Sequence, residues 1–244
     1  MIGTSGLLYR FSESLVYKTN VSSREIALME AAGSLTLRPL TRVLKKGRSP
    51  DSPSRGRIKA VIMEFGKKFR PRNIPAEKMR DIVVDMFLLL QNIHSDCGIV
   101  HGSIRPSAFL WGRDGRLKLA DFSLGRFIQE DPAVWEAQED LEGLVEEKYL
   151  TPERMRKREE TLAAAQAKGI QPRDVPGAGT PAPTVFDDYF ALAVTLWGMF
   201  TGKKPVNHQF NTRNVRKSDL LEVKDKLVRE WIWKVLKMAG CQSW

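Results

Sequence analysis

Residues 94–125 read His-Ser-Asp-Cys-Gly-Ile-Val-His-Gly-Ser-Ile-Arg-Pro-Ser-Ala-Phe-Leu-Trp-Gly-Arg-Asp-Gly-Arg-Leu-Lys-Leu-Ala-Asp-Phe-Ser-Leu-Gly. Gly115 supplies a turn, and residues 115–120 then form a strand that delivers Asp121. Phe122 stands directly behind it, and a phenylalanine there has its natural place in a core. Asp121 serves either as a turn cap, which a short carboxylate does well, or as a ligand. An Asp-Phe-Ser tripeptide alone carries little weight. Its place after a His-x-x-Ile-Arg-Pro loop and a glycine-turned hairpin carries a good deal.

That order and spacing resemble the catalytic and metal-binding loops of eukaryotic protein kinases, with signatures H-R-D-L-x-x-x-N and then D-F-G. Here they read His101-Gly102-Ser103-Ile104-Arg105-Pro106-Ser107-Ala108 and Asp121-Phe122-Ser123. The resemblance implies an α+β, two-lobed, Ser/Thr kinase-like fold. A small antiparallel-sheet lobe with one helix faces a mainly helical lobe across a ligand cleft. A fold does not fix a chemistry, and no catalytic position is intact. Ser103 stands where the family has its catalytic aspartate, and a hydroxyl has no acid–base range near neutral pH. Ala108 stands where an asparagine would hold metal and offers no oxygen. Arg105 replaces the lysine that contacts the transferred phosphate, exchanging a compact ammonium for a planar fork. Positioned acid–base catalysis contributes ~10²–10⁴-fold, so these changes together predict very slow transfer.

Residues 1–66 read as a small lobe of strand, strand, helix, strand, strand. Residues 15–18 are β-prone, residues 23–31 are helix formers behind a hydroxyl cap, and Gly33 closes that helix. Strands at 40–44 and 58–63 flank a polar loop, 45–57. By resemblance, Gly3 and Gly6 supply the glycine-rich loop, Lys18 binds phosphates and Glu25 orients it, with Glu30 as the rival choice. Met63 is then the gatekeeper, and Glu64-Phe65-Gly66 the hinge. The implied nucleotide set is Gly3, Gly6, Lys18, Glu25, Met63, Glu64, Phe65 and Asp121, with Asp121 also the metal ligand. ATP is the implied cofactor, and magnesium accompanies it one ligand short. The plainer alternatives are solvated surface roles for Lys18 and Glu25 and simple chain-start flexibility for Gly3 and Gly6.

Residues 67–244 read as the helical lobe. Apolar residues at Met79, Ile82, Val83, Met86, Phe87, Leu90 and Ile93 predict an amphipathic helix over 76–93. Residues 149–153, Tyr-Leu-Thr-Pro-Glu, resemble the A-P-E end of a kinase activation segment, which gives Glu153 a structural role. His101, Phe122 and Asp188 are implied as structural braces of the catalytic loop. Residues 188–194 resemble the start of the family's central buried helix, and Gly202 with Pro205 ends it. An insertion at about 154–186 holds a charged helix, 154–168, and then a Pro/Gly-rich stretch, 169–183, read as disordered because it cannot bury a face. A last helix spans 224–238. Both ends read as clipped, leaving Trp231 and Trp233 uncovered unless a partner covers them.

The 244 residues are 42% hydrophobic with a formal charge of +10 and a pI of about 9.7. The charge invites a nucleic-acid or membrane reading, but Lys and Arg are scattered and no aromatic-interleaved basic stripe appears. Cys97 and Cys241 have neither metal-ligand nor disulfide spacing, which favours a reducing, cytoplasmic or nuclear compartment. The N-terminus lacks the pattern of a secretory signal, Met1-Ile2 speaks against myristoylation, and the apolar run at 189–200 is too short to cross a bilayer. His94 and His208 have no neighbours that make a zinc site. Ser49-Pro50 and Ser52-Pro53 match proline-directed phosphorylation, against the plainer reading of a solvated linker.

Three functional readings stand. The first is a pseudokinase that binds ATP, transfers phosphate poorly or not at all, and acts on a protein partner. The second is an active low-efficiency Ser/Thr kinase using a displaced carboxylate such as Asp96 or Asp114. The third is an interaction module that binds no nucleotide.

Overall fold

Val16, Tyr17, Val21 and Val61 are β-branched or aromatic residues that pack well on a pleated surface, and they lie in a four-stranded antiparallel sheet. A computed structural model of the protein describes residues 8–10, 12–37, 39–44, 58–138, 145–205, 210, 215 and 217–241. Gly3, Gly6, His208 and the loop holding Ser49 and Ser52 lie outside these residues. The sheet comprises β1 (Leu8–Arg10), β2 (Leu15–Val21), β3 (Pro39–Leu44) and β4 (Ile58–Glu64), in the order β1-β2-β4-β3. Between β2 and β3 runs α1 (Ser23–Ala32). The Ser22 hydroxyl accepts the Glu25 N–H at 3.0 Å, and Gly33 closes the helix at φ +53°.

After β4 the chain forms β5 (Lys67–Lys68) and then α2 (Ala76–Ser95), whose apolar stripe of Ile82, Val83, Met86, Leu90 and Ile93 is buried. Next come β6 (Ile99–Val100), β7 (Phe109–Trp111), β8 (Leu117–Leu119) and β9 (Arg126–Phe127). Because β6 pairs with β9 and β7 with β8, the loops 101–108 and 120–125 are held against each other. The Ala120 N–H donates to Ala108 O at 2.8 Å, locking one loop to the other.

The remaining helices are α3 (Pro132–Glu136), α4 (Pro152–Ala167), α5 (Val185–Thr201) and α6 (Lys226–Met238). A helix apolar on all sides belongs inside, and α5 buries Phe190 through Trp197 without interruption. Its start is a reciprocal cap: Asp187 N–H donates to Thr184 Oγ1 while Asp187 Oδ2 accepts the Thr184 N–H at 2.8 Å. No described helix is long and apolar enough to cross a membrane.

Three expectations need correction. The stretch 169–183 is packed rather than disordered: Ala178 and Ala182 join Leu124 and a fully buried Trp135 in a second apolar cluster. Its burial comes from backbone fit, which composition does not register. Gly177, at φ +61°, sits where a Cβ would lie 2.8 Å from Glu136 O, and its N–H donates to Gln138 O at 2.7 Å. The carbonyls at the end of this stretch hold two buried arginines. Arg154 Nη2 donates to Pro181 O and Arg126 Nε to Pro183 O, each at 2.8 Å. Secondly, Trp231 and Trp233 are half-buried against the core, with Trp231 edge-on to Phe87 at 4.5 Å. Thirdly, the Glu153 side chain is 66% exposed and, among the described residues, pairs with the Lys157 ammonium one turn on, a surface contact and not a brace. The structural contacts there belong to its neighbours, Thr151, whose hydroxyl donates to Asp187 Oδ1 at 2.8 Å, and Arg154.

Candidate nucleotide and phosphoryl-transfer site

Lys18 comes from β2 and Glu25 from the first turn of α1, and the short Val21–Ser22 link brings them together. Lys18 Nζ lies 2.5 Å from Glu25 Oε1 and 3.4 Å from Asp121 Oδ1. Burial pulls the Lys18 ammonium downward, but the carboxylates of Glu25 and Asp121 outweigh it and leave its pKa above the usual value. Burial raises the Glu25 carboxyl despite the ammonium against it. Glu30, the rival choice, is exposed.

Asp121 holds a left-handed backbone at φ +67°, which a short acidic residue tolerates. Its Oδ1 accepts from Ser123 Oγ at 2.9 Å, and its Oδ2 lies 2.6 Å from Arg105 Nη2. Burial works to raise its pKa. Lys18, then Arg105 and Ser123, overcome that and hold it at about 2. The other arm of the Arg105 guanidinium pairs with Glu146, whose second oxygen meets Lys148 Nζ at 2.9 Å. Lys18, Arg105 and Lys148 therefore face Glu25, Asp121 and Glu146 in one continuous, charge-balanced network. Glu146 carried no motif that would have found it.

Beneath the site, the His101 ring packs at 4.6 Å against Phe122, tilted by 54°, with both side chains fully buried. His101 Nε2 donates to Ala120 O at 3.0 Å and Nδ1 accepts the Ser103 N–H at 3.3 Å, a neutral tautomer that burial favours by lowering the pKa. Asp188 reaches the loop through its backbone: Oδ2 accepts the His101 N–H and Oδ1 the Gly102 N–H, both at 2.8 Å. The same Oδ2 accepts from His94 Nε2 at 2.8 Å. His94 had a readable signal, since it falls on the apolar stripe of α2 four residues after Leu90.

Ser103 and Ala108 occupy the loop positions expected of them, and Ala108 is fully buried. Met63 is buried beside Val16, its partner across β2 and β4. The Phe65 N–H donates to Ser14 O at 2.8 Å, and its ring lies 5.1 Å from the Arg10 guanidinium. Glu64 instead lines a separate cavity with Met29, Thr36, Pro39 and Lys118. A Cβ at Gly66 would lie 2.9 Å from Leu110 Cβ, so the chain leaves the small lobe in close contact with β7. Neither displaced carboxylate approaches Asp121. Asp96 accepts from Ser95 Oγ beyond α2, and Asp114 pairs with Lys118 in the β7–β8 turn.

Over 97% of its length the chain is similar to the structure of the Cydia pomonella granulovirus kinase PK-1, at a TM-score of 0.56, 14% identity and 84% coverage of that chain. The fold is protein kinase-like. In sequence the kinase-like chain is 30% identical over 150 residues, 62% of its length, to the myotonin-protein kinase of Mus musculus. It is 25% identical over 141 residues, 57% of its length, to the probable serine/threonine-protein kinase ireA of Dictyostelium discoideum. These matches span 20% and 12% of the curated relatives. No protein-family model matches the chain.

The family implies a nucleotide and magnesium, and the residues present treat the two differently. Lys18, fixed by Glu25, is a cation suited to phosphate oxygens. The metal does not fit. Both Asp121 oxygens are engaged by cations and a hydroxyl, Ala108 supplies no ligand, and no group of three His, Cys, Asp or Glu able to hold a metal ion occurs among the described residues. Gly102, where the signature has arginine, is at φ +73° with Leu124 O 2.4 Å from where a Cβ would stand.

Proposed function

We propose that this kinase-like domain binds a nucleotide in its cleft without magnesium, transfers phosphate poorly or not at all, and acts through protein interactions. The observation that carries this reading is the Arg105 guanidinium on Asp121, where a divalent cation would otherwise bridge carboxylate and phosphates. Losing the aspartate at position 103 removes one negative charge that the family's metals help to offset. A single guanidinium then suffices to balance the carboxylate that remains. Ser103 provides no base for a substrate hydroxyl, and the described carboxylates that reach the loop are already engaged, Glu146 by Arg105 and Lys148 and Asp188 by the His101 and Gly102 amides. In this reading Lys18 orients the phosphates and Met63 backs the base.

The test is thermal melting with ATP in EDTA and again with magnesium, beside Lys18→Met. Saturable stabilisation, equal in both buffers and lost in the variant, is expected, with labelled γ-phosphate transfer at background. A folded sample that ignores ATP would leave the interaction module as the function. Transfer to protein well above background would establish the active-kinase reading instead.

A further inference from the structure

A cavity of about 790 Å³ opens between residues 68–73, the loop at 105–107, residues 146–149 and the C-terminal half of α5 with the residues that follow it. Its rim is strongly basic. Lys68, Arg70, Arg72 and Lys204 all line it, and none has a carboxylate partner among the described residues. Arg72 Nη2 reaches across to Gly202 O at 3.3 Å, tying one wall to the other without neutralising its charge. Lys203 pairs with Glu222. Glu146, the one carboxylate in the lining, is already held by Arg105 and Lys148. The cavity thus carries an excess of positive charge, unlike the balanced network beside it.

The floor supplies a second, independent observation. Thr195, on α5, is 1% exposed, lines the cavity, and its hydroxyl has no hydrogen-bond partner among the described residues. Arg105 Nε, on the opposite wall, is likewise buried without a partner. A buried donor left unpaired is costly, and an acceptor-rich ligand would relieve both. Around them Val194, Gly198, Met199, Pro71 and Pro205 form an apolar bed.

We propose that this groove binds an acidic polypeptide segment, with carboxylates on the Lys68, Arg70, Arg72 and Lys204 rim and an apolar side chain over Met199. Nucleic acid fits less well. Single strands are held by successive aromatic platforms, whereas this lining presents a single partly exposed ring, Tyr149, with the Lys148 ammonium already over it, and Phe69 beneath is 2% exposed. The inference specifies the protein-interaction half of the function proposed above and is independent of whether the cleft takes nucleotide.

Fluorescence anisotropy tests it with a labelled peptide of alternating Glu and Leu, its Gln-for-Glu counterpart, and a single-stranded oligonucleotide of equal charge. The Glu peptide is expected to bind and the Gln peptide not. Lys68→Glu with Lys204→Glu is expected to weaken binding about tenfold, and Lys226→Glu with Lys234→Glu, on α6, to leave it unchanged. Arg70→Gln with Arg72→Gln gives a milder loss and serves where charge reversal disturbs folding. Equal binding of the Gln peptide, tighter binding of the oligonucleotide, or an equal effect of the α6 pair overturns the proposal. ATP stabilisation measured on the same rim variants separates the two readings, because none of these lysines or arginines touches Lys18 or Asp121.

Discussion

Arg105 Nη2 lies 2.6 Å from Asp121 Oδ2, so the residue in the family's phosphate-contacting position is turned inward onto the family's metal ligand. Removing the guanidinium should reopen that oxygen. In Arg105→Ala, stabilisation by ATP is expected to become dependent on magnesium, with a larger thermal shift in the metal than in EDTA. Unchanged metal independence in a folded Arg105→Ala sample would sink the surrogate-cation argument.

On the proposed reading, transfer is expected only when all three altered positions are restored together. Ser103→Asp or Ala108→Asn alone should leave transfer at background, because Arg105 still closes Asp121. Combined with Arg105→Lys, the two are expected to raise labelled-phosphate transfer by ~10²-fold or more. Activity in a single Ser103→Asp variant would show that the metal site was never closed.

Asp121 sets a pH dependence of stability. Its folded pKa of about 2 lies below the usual 3.8, so between those values the unfolded chain binds more protons than the folded one. The contribution, roughly 2 kcal/mol, is complete above the unfolded pKa and is lost as pH falls through the folded value. Urea unfolding from pH 5 down to about pH 2 should show a steeper loss in the wild type than in Asp121→Asn. Parallel curves would show that the carboxylate is not held this way.

Gly102→Arg, which rebuilds the family signature, should destabilise the protein. The positive φ costs about 1–2 kcal/mol for any side chain, and the Leu124 carbonyl blocks the Cβ. A fall in Tm of about 4–8 °C is expected by calorimetry. A neutral effect would mean that the loop rearranges freely.

Asp188→Ala strips the acceptor from the His101 and Gly102 amides and from His94 at once. The expected loss is about 3–5 kcal/mol by urea denaturation, with Asp188→Asn intermediate.

Much of the fold was readable because its signals are local. The β-prone run ending at Lys18, the capped helix carrying Glu25 and the stripe on α2 each announce an element without tertiary help. The approach of Lys18, Glu25 and Asp121 followed from motif order. The seat of the Arg105 fork could not be read, because it depends on Glu146, some forty residues on, which belongs to no motif. Asp188 was legible as a brace, but its bonds run to backbone amides and to His94 rather than to the His101 ring. The packing of 169–183 escaped notice because Gly177 and Ala178 are buried by close backbone approach, which a hydrophobicity count does not register.

Arg126 stands five residues beyond Asp121 and grips the Pro183 carbonyl, while Arg154, on α4, grips the neighbouring Pro181. Mechanically, the start of α4 and the strand leaving Asp121 share one load path through two peptide groups. A protein clamped on α4 would tug the floor of the cleft from outside it, and amide hydrogen exchange at residues 121–127 would register the pull. An appendage in such a position is a handle, able to set the posture of the cleft without entering it.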